Sequence, residues 1–269
     1  MRNACRYLLL LPLGLLATQG ARADSLIVGG SSLLTQADAN QLAAWLGEGD
    51  LTLTNIFTKT AANDTPEAFS AAVDGQGRTF VVLEATPEST TSPYPPWTSI
   101  GSSMLLGGYD PLSWDSTNGY NITTDRSGFI FNLTTSTMQD QNSDISGQTQ
   151  TYNSSIYGPA FGDGFDLGVG VDLGTDTLPD NLDHGYAYNS SYGGTTGGIN
   201  ITGGGAPNQY EASYFDVTGL EVFTITDGVP SVPEPRSSVL IVPLVGALLL
   251  LGRRAQLRCP ALAKRTDRA

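Results

Sequence analysis

The sequence predicts a mainly β fold of the α+β class, a two-sheet antiparallel β-sandwich with two short helices. Short segments rich in β-branched and aromatic residues alternate with Gly-, Pro- and Asn-containing turns along most of the chain. Helical spacing of apolar residues is confined to two early segments. Once both chain ends are set aside, about 210 residues remain, which is within the range of one domain.

Two helices are predicted in the first part of this domain. The first begins after Thr35, because Asp38 three residues later completes a cap-like start, and it ends at Gly47. The second begins after Thr65, with Pro66 at its first helical position. Both segments carry apolar residues at the spacing of one helix face.

Strands are predicted around and after the second helix, where β-branched and aromatic residues are frequent. Polar and Gly-rich stretches between them predict exposed loops at residues 136–153 and 185–208, and a turn at Gly119-Tyr120. The predicted strands and extended segments cover residues 51–57, 79–85, 100–109, 128–133, 165–171 and 214–225.

Five short motifs follow one another in fixed order between about residue 51 and residue 225. They are Gly-Arg-Thr before a strand, Gly-Gly-Tyr with a tryptophan soon after, Phe-Ile-Phe, Gly-Asp-Gly-Phe-Asp-Leu, and Leu-Glu-Val-Phe. These motifs lie within residues 74–83, 106–114, 128–133, 157–167 and 217–223. This series resembles the TLDc domain. The resemblance implies a two-sheet β-sandwich with short helices, and it covers almost all of residues 24–228.

Residues 1–23 resemble a secretory signal peptide. Arg2 and Arg6 give a positive start, an apolar run follows, and Ala21 and Ala23 form the small-x-small pattern that signal peptidase recognises. We therefore predict cleavage before Asp24. Because the apolar run is short, a spanning helix is not predicted there.

The other end of the sequence carries a linker, an apolar segment and a basic tail. Residues 229–236 are Pro-rich, residues 237–252 hold no charged residue, and residues 253–269 begin with Arg253 and Arg254. The uncharged stretch is predicted to enter the inner membrane and to stop there, with the arginines on the cytoplasmic side.

The sequence Val232-Pro233-Glu234-Pro235, followed by this apolar segment and the arginine pair, resembles the PEP-CTERM sorting signal of Gram-negative bacteria. The resemblance implies recognition by an exosortase and processing near the motif. It also implies transient anchoring in the inner membrane, then a place on the cell surface or in the exopolysaccharide matrix. The chain differs from the family in continuing for 15 residues beyond Arg254.

The charge of the domain excludes one class of partner. Between Asp24 and Pro235 there are three basic residues and 25 acidic ones, which gives a formal charge of −22. Such a surface offers almost no cations to replace phosphate counterions, so nucleic acid is excluded as a partner. Both cysteines, Cys5 and Cys259, lie in the terminal segments. The domain therefore relies on its core, or on bound cations, instead of disulfides.

Few residues suit catalysis. The domain has no cysteine nucleophile, its single histidine, His184, is predicted to lie in a loop, and no nucleophile elbow or phosphate-binding loop occurs. A hydrolase that uses two carboxylates is the remaining enzymatic alternative. We therefore expect a protein that is not an enzyme and needs no cofactor.

Two binding hypotheses stay open. Asp163, Asp166, Asp172 and Asp176 lie among glycines and are candidate ligands for Ca²⁺, although neither EF-hand spacing nor a nonapeptide repeat is present. Aromatic residues could stack on the sugars of an extracellular polysaccharide. The candidates are Trp97, Trp114, Tyr186, Tyr188 and Tyr192, of which Trp114 is expected to belong to the core.

Overall fold

Two helices and thirteen strands occupy the described part of a computed structural model, namely residues 24–60, 64–88, 98–143, 148–170, 181–193, 199–204 and 212–228. The helices are α1 (Gln36–Leu46) and α2 (Pro66–Val73). This composition confirms the prediction of a mainly β fold with two helices. The strands are β1 (Leu26–Val28), β2 (Leu51–Thr58), β3 (Thr79–Pro87), β4 (Thr98–Ser99), β5 (Met104–Asp110), β6 (Gly119–Ile122), β7 (Phe129–Asn132), β8 (Thr137–Asp140), β9 (Thr149–Asn153), β10 (Ala160–Phe161), β11 (Leu167–Val169), β12 (His184–Ala187) and β13 (Ser213–Asp227).

Both helices begin where the local sequence predicts, and α1 also ends at the predicted residue. The side chain of Thr35 accepts from the backbone N–H of Asp38, whose carboxylate accepts the N–H of Thr35 at 2.9 Å. Gly47 ends α1 with φ 75°, in the left-handed region. Thr65 caps α2, and Pro66 occupies its first turn, where a missing N–H costs nothing.

The central strands are buried on both faces. Along β3, Phe80 and Val82 point into one core, whereas Val81 and Leu83 point into the other. Helix α1 covers the first core and helix α2 packs against the second. The continuous apolar sequence of β3 is therefore a consequence of burial on two sides.

The strands form one hydrogen-bonded sheet. Its order is β6-β9-β10-β11-β12-β13-β3-β5-β7-β8, with β2 and β4 also paired to β13 and β1 paired to β2. All pairs are antiparallel except β1–β2 and β4–β13. The predicted antiparallel pairing is thus confirmed, whereas the predicted division into two sheets is not.

Strand β10 packs back against the centre of the sheet. A Cβ atom on Gly108 of β5 would lie 2.6 Å from the ring of Phe161, so the two strands approach closely only because this residue is glycine. Trp114 packs edge-on against both Phe161 and Phe69, and its Nε1 donates to the hydroxyl of Thr79 at 2.9 Å. Trp114 is 2% exposed, which confirms its prediction as a core residue.

Glu221 joins the first segment of the domain to β13. Its buried carboxylate accepts the hydroxyl of Ser31, the backbone N–H of Ser32 at 2.7 Å and the hydroxyl of Ser32 at 2.8 Å. This glutamate belongs to the Leu-Glu-Val-Phe motif that carries part of the TLDc resemblance. Its hydrogen bonds hold residues 31 and 32 against β13, so its role in the fold is structural.

Three segments predicted as a turn or loops contain strands instead. Gly119 and Tyr120 begin β6, β8 and β9 lie within residues 136–153, and β12 begins at His184. Polar residues in these segments are buried because they find polar partners, as Gln150 does with the side chain of Gln141 at 3.3 Å. Polarity alone therefore predicted exposure wrongly.

We predict that Gly107→Ala lowers the free energy of unfolding by about 1–3 kcal/mol. A Cβ atom at this position of β5 would collide with the carbonyl oxygen of Val81 and the ring of Phe131. Gly101→Ala is the matched control, since a Cβ atom there would meet no neighbour within 4 Å. Denaturant unfolding of both variants measures the difference. Equal stability of the two would contradict the close approach of β3 and β5.

Candidate functional site

Aromatic side chains cluster on one face of strands β9–β13, with Tyr120 of β6 at the exposed end. We call this group the outer aromatic cluster, because strand alternation places it opposite to Phe161 and Phe215 of the core. Neighbouring centroids lie between 4.6 and 6.1 Å apart, a spacing that aromatic pairs favour. The members are Tyr120, Tyr152, Tyr157, Phe165, Tyr186, Tyr188 and Tyr214.

Strand register brings two tyrosine pairs onto this face. Tyr120 and Tyr152 are direct cross-strand partners on β6 and β9, with ring centroids 4.6 Å apart. Tyr186 and Tyr214 are partners on β12 and β13, with centroids 5.9 Å apart. Directly opposite aromatic residues contribute to strand pairing, so each pair also stabilises its part of the sheet.

Phe165 fills the space between the two pairs. Ala160 and Gly168 are cross-strand partners on β10 and β11, and their small size leaves room above them. A Cβ atom on Gly168 would lie only 3.0 Å from the Cβ atom of Phe165. The ring of Phe165 lies 5.4 Å from Tyr152 and 6.1 Å from Tyr186 between centroids. This residue therefore joins the two pairs into one cluster.

The turn before β11 holds Phe165 in a backbone conformation that L residues rarely adopt. Phe165 has φ 60°, and the preceding glycines, Gly162 and Gly164, have φ 85° and 83°. Glycine adopts such angles without steric cost, whereas phenylalanine does not. The hydroxyl of Tyr186 donates to the carbonyl of Gly164 at 3.0 Å and helps to hold the turn.

Asp166 ties this turn to the segment after β12. Its fully buried carboxylate accepts the backbone N–H groups of Ser190, Ser191 and Tyr192, with one distance of 2.9 Å from Ser191. Burial raises the pKa of Asp166 to about 7, against the opposing effect of these amide donors. A Cβ atom on Gly162 would collide with the carboxylate, so glycine is required there.

Exposure decreases along the cluster. Tyr120 is 49% exposed, Tyr152 and Tyr157 are half-buried, and Tyr186 is 3% exposed. Within the described part of the chain, the hydroxyls of the first three donate to no other residue. Partial burial and the nearby carboxylate of Asp163 raise the pKa of Tyr120, so its hydroxyl stays protonated at neutral pH.

Two tyrosines that were predicted to be available for stacking on sugars are buried. Tyr186 belongs to β12, and Tyr192 is fully enclosed, with its hydroxyl donating to the carbonyl of Gln150 at 2.9 Å. Tyr188 is half-buried, and Trp97 lies outside the described residues. The prediction that Tyr186 and Tyr192 are available is therefore wrong; it was made because the Gly-rich sequence around them suggested a loop. Tyr120, which was not predicted as a contact residue, is the exposed tyrosine of the outer aromatic cluster.

The predicted calcium ligands do not form a group in the described residues. Asp163 is exposed, and Asp166 accepts backbone amides, while Asp172 and Asp176 lie outside the described residues. Across the part of the chain that the structure describes, no three His, Cys, Asp or Glu side chains lie close enough to hold a metal ion. Calcium binding therefore stays a prediction.

Two of the charged pairs in the described residues involve Lys59 and His184. The side chain of Lys59 is only 6% exposed, and its ammonium nitrogen lies 2.7 Å from the carboxylate of Asp183. His184 begins β12 and is not in a loop, and its Nδ1 lies 3.1 Å from the carboxylate of Asp216, its cross-strand partner. The histidine is thus placed by the sheet and not by a flexible segment.

Asp110 is a buried carboxylate that no sequence pattern indicated. It is fully enclosed at the end of β5, where its Oδ1 accepts the backbone N–H of Leu112 at 3.0 Å. Its Oδ2 has no hydrogen-bond partner among the described residues. Burial, and to a smaller degree the charge of Asp125, raise the pKa of Asp110 to about 7.

The predicted export and sorting residues lie mostly outside the described residues. This applies to Ala21, Ala23 and the sorting motif of Val232, Pro233, Glu234, Pro235, Arg253 and Arg254. Asp24 is described, and its carboxylate accepts the side-chain amide of Asn40 at 3.0 Å. Neither of the two described helices is long and apolar enough to cross a membrane, and residues 237–252 are not among those described.

No protein-family model matches the sequence, and no curated protein is significantly similar to it. The resemblances to the TLDc domain and to the PEP-CTERM signal therefore stay predictions.

We predict that Asp166→Ala lowers the free energy of unfolding at pH 5 by about 1–3 kcal/mol. The variant leaves the buried backbone N–H groups of residues 190–192 without their acceptor. At this pH the carboxyl group is protonated, because burial raises its pKa to about 7, so no buried charge is removed at the same time. Asp163→Ala is the control, since this neighbouring aspartate is exposed. Thermal unfolding and hydrogen exchange at Ser190, Ser191 and Tyr192 measure the effect. Unchanged protection of these amides would contradict the anchoring role.

We predict that Asp110→Asn raises the free energy of unfolding, relative to wild type, more at pH 8 than at pH 4. The folded-state pKa of about 7 lies above the unfolded value of 3.8, so ionisation of Asp110 lowers stability as the pH rises between these values. The variant lacks this loss, which amounts to roughly 2–4 kcal/mol. The melting temperatures of wild type and variant at both pH values measure it. The exposed Asp140→Asn is the control, and an equal difference at both pH values would contradict the prediction.

Proposed function

We propose that this protein is a non-enzymatic surface or biofilm-matrix protein of a Gram-negative bacterium, exported through its signal peptide and sorted by an exosortase. The order of the Val232-Pro233-Glu234-Pro235 motif, the uncharged residues 237–252 and the arginine pair carries this proposal. Its partners would be signal peptidase, the inner membrane and an exosortase, in that order.

A TLDc-like two-sheet β-sandwich is proposed for the exported domain. The support comes from residues of the shared motifs that have structural contacts. Gly107 and Gly108 allow close packing in β5, Trp114 belongs to the core, and Asp166 and Glu221 accept backbone amides from other segments. These contacts are consistent with motifs that specify a fold and not a reaction.

The non-enzymatic part of the proposal is supported by how the reactive groups are used. His184 is paired with Asp216, and the buried carboxylates of Asp166 and Glu221 are occupied by hydrogen bonds from the chain itself. A hydrolase that uses two carboxylates remains the third alternative. It would require a pair of accessible carboxylates facing one cleft.

A binding module for extracellular polysaccharide or calcium is the second candidate. The polysaccharide alternative is favoured by one observation, the half-exposed ring of Tyr120 at the end of the outer aromatic cluster. Aromatic rings with free hydroxyl groups suit ligands that have both apolar and polar faces. Calcium has less support, because Asp166 is occupied by backbone amides.

Glu234→Ala tests the sorting proposal. In a host that encodes an exosortase, we expect the wild-type protein to lose its C-terminal segment near the motif and to reach the surface. The variant should keep residues 237–252 and remain in the inner membrane, because the motif is altered. Intact-mass analysis of surface and membrane fractions distinguishes the two forms.

Glu67→Ala in the exposed first turn of α2 is the matched control and should behave as wild type. Deletion of the exosortase gene should reproduce the effect of Glu234→Ala. A surface form that still ends at Ala269 would contradict the proposed processing.

A further inference from the structure

We propose that the outer aromatic cluster is a binding surface for an uncharged polysaccharide, with Tyr120 as its principal contact residue. The inference rests on the proposed function, which places the domain among extracellular polymers. It goes further by naming the surface, the central residue and the charge class of the ligand. The arguments come from packing, hydrogen-bonding capacity and charge.

The exposed ring is held in place before any ligand arrives. Tyr120 packs edge-on against Tyr152, with ring planes at 61°. Tyr152 in turn contacts Tyr157 at 5.5 Å and Phe165 at 5.4 Å between centroids. Because the supporting rings fix its position, Tyr120 loses little conformational freedom on binding. Such preorganisation distinguishes it from an isolated surface tyrosine.

The surface beside Tyr120 is partly apolar. Ile122 lies two positions further along β6 and is 65% exposed. Ile156 precedes Tyr157 and is 42% exposed. Each of these exposed apolar residues lies within two positions in sequence of a member of the outer aromatic cluster.

The polar groups of the surface match sugar hydroxyls. The hydroxyls of Tyr120, Tyr152 and Tyr157 are not used by other described residues, and each can donate and accept. The exposed carboxylate of Asp163 lies close enough to Tyr120 to influence its titration, and it accepts only. A pyranose ring presents C–H groups on its faces and hydroxyls at its rim, so it can use rings and acceptors together.

Charge selects an uncharged polymer over an acidic one. The region between Asp24 and Pro235 has a formal charge of −22, so an anionic polysaccharide would be repelled. Of the three cations in this region, Lys59 is paired with Asp183 at 2.7 Å and Arg78 with Glu48 at 2.6 Å. These two cations are therefore engaged by the protein's own carboxylates.

Affinity electrophoresis of the full chain in detergent tests the inference. The gels contain soluble neutral glucans, mannans or galactans, or the acidic polymer alginate. We expect at least one neutral polymer to retard the wild-type protein and alginate to have no effect. Tyr120→Ala should weaken the apparent affinity by about tenfold or more, whereas Tyr120→Phe should retain most of it because the ring is kept.

Leu26→Ala is the matched control, because Leu26 is an apolar residue 53% exposed on another edge strand, β1. It should bind as wild type does. Tyr157→Ala provides a second variant within the cluster and should weaken binding less than Tyr120→Ala. Circular dichroism and the melting temperature show that each variant is folded.

Several results would overturn the inference. They are no retardation by any neutral polymer, equal binding by Tyr120→Ala, or a preference for alginate. A loss of self-association in Tyr120→Ala, seen by size-exclusion chromatography without any effect on sugar binding, would instead assign the surface to a second copy. Binding is measured on purified protein, so its failure would leave the sorting result intact, and failed sorting would leave binding intact.

Discussion

Strand β13 is hydrogen-bonded along both edges, and the rest of the domain depends on this pairing. Its first residues pair with β12 and β4, and the remainder pairs with β3 and β2. Two register shifts along its 15 residues allow one strand to adjust to different neighbours. Since β12 leads to the outer aromatic cluster and β3 to the helix-covered core, β13 fixes the position of one relative to the other.

Elements specified by local contacts could be predicted from the sequence. The caps Thr35 and Thr65 act within three residues of themselves, so both helices were recognisable. Strand β3 was recognisable because burial on both faces demands continuous apolar residues. Strand β13 was recognisable from its β-branched and aromatic residues. In contrast, β9 and β12 were missed. Their burial depends on partners distant in sequence, such as Phe215 over Gly185.

Prediction from the sequence was less successful for the candidate site than for the fold. Asp163 and Asp166 lie three residues apart in the same Gly-containing segment. Asp163 is nevertheless exposed, whereas Asp166 is buried and accepts backbone amides from residues 190–192. Only the tertiary position of those amides separates the two roles. Tyr120 was missed because a glycine before it suggested a turn, although that glycine, with φ 70°, begins an edge strand. An alternating pattern of four residues was too short to indicate β6.

Some of the many acidic residues stabilise the domain by accepting hydrogen bonds from distant segments. Cys5 and Cys259 lie outside the described residues, so no disulfide joins segments within them. Three carboxylates join distant segments instead: Asp166 binds residues 190–192, Glu221 binds Ser31 and Ser32, and Asp74 binds Ser116 at 2.6 Å. A hydrogen bond contributes about 0.5–1.5 kcal/mol to stability, so several of these contacts together are comparable with the lower range of a disulfide. Such contacts re-form without an oxidant.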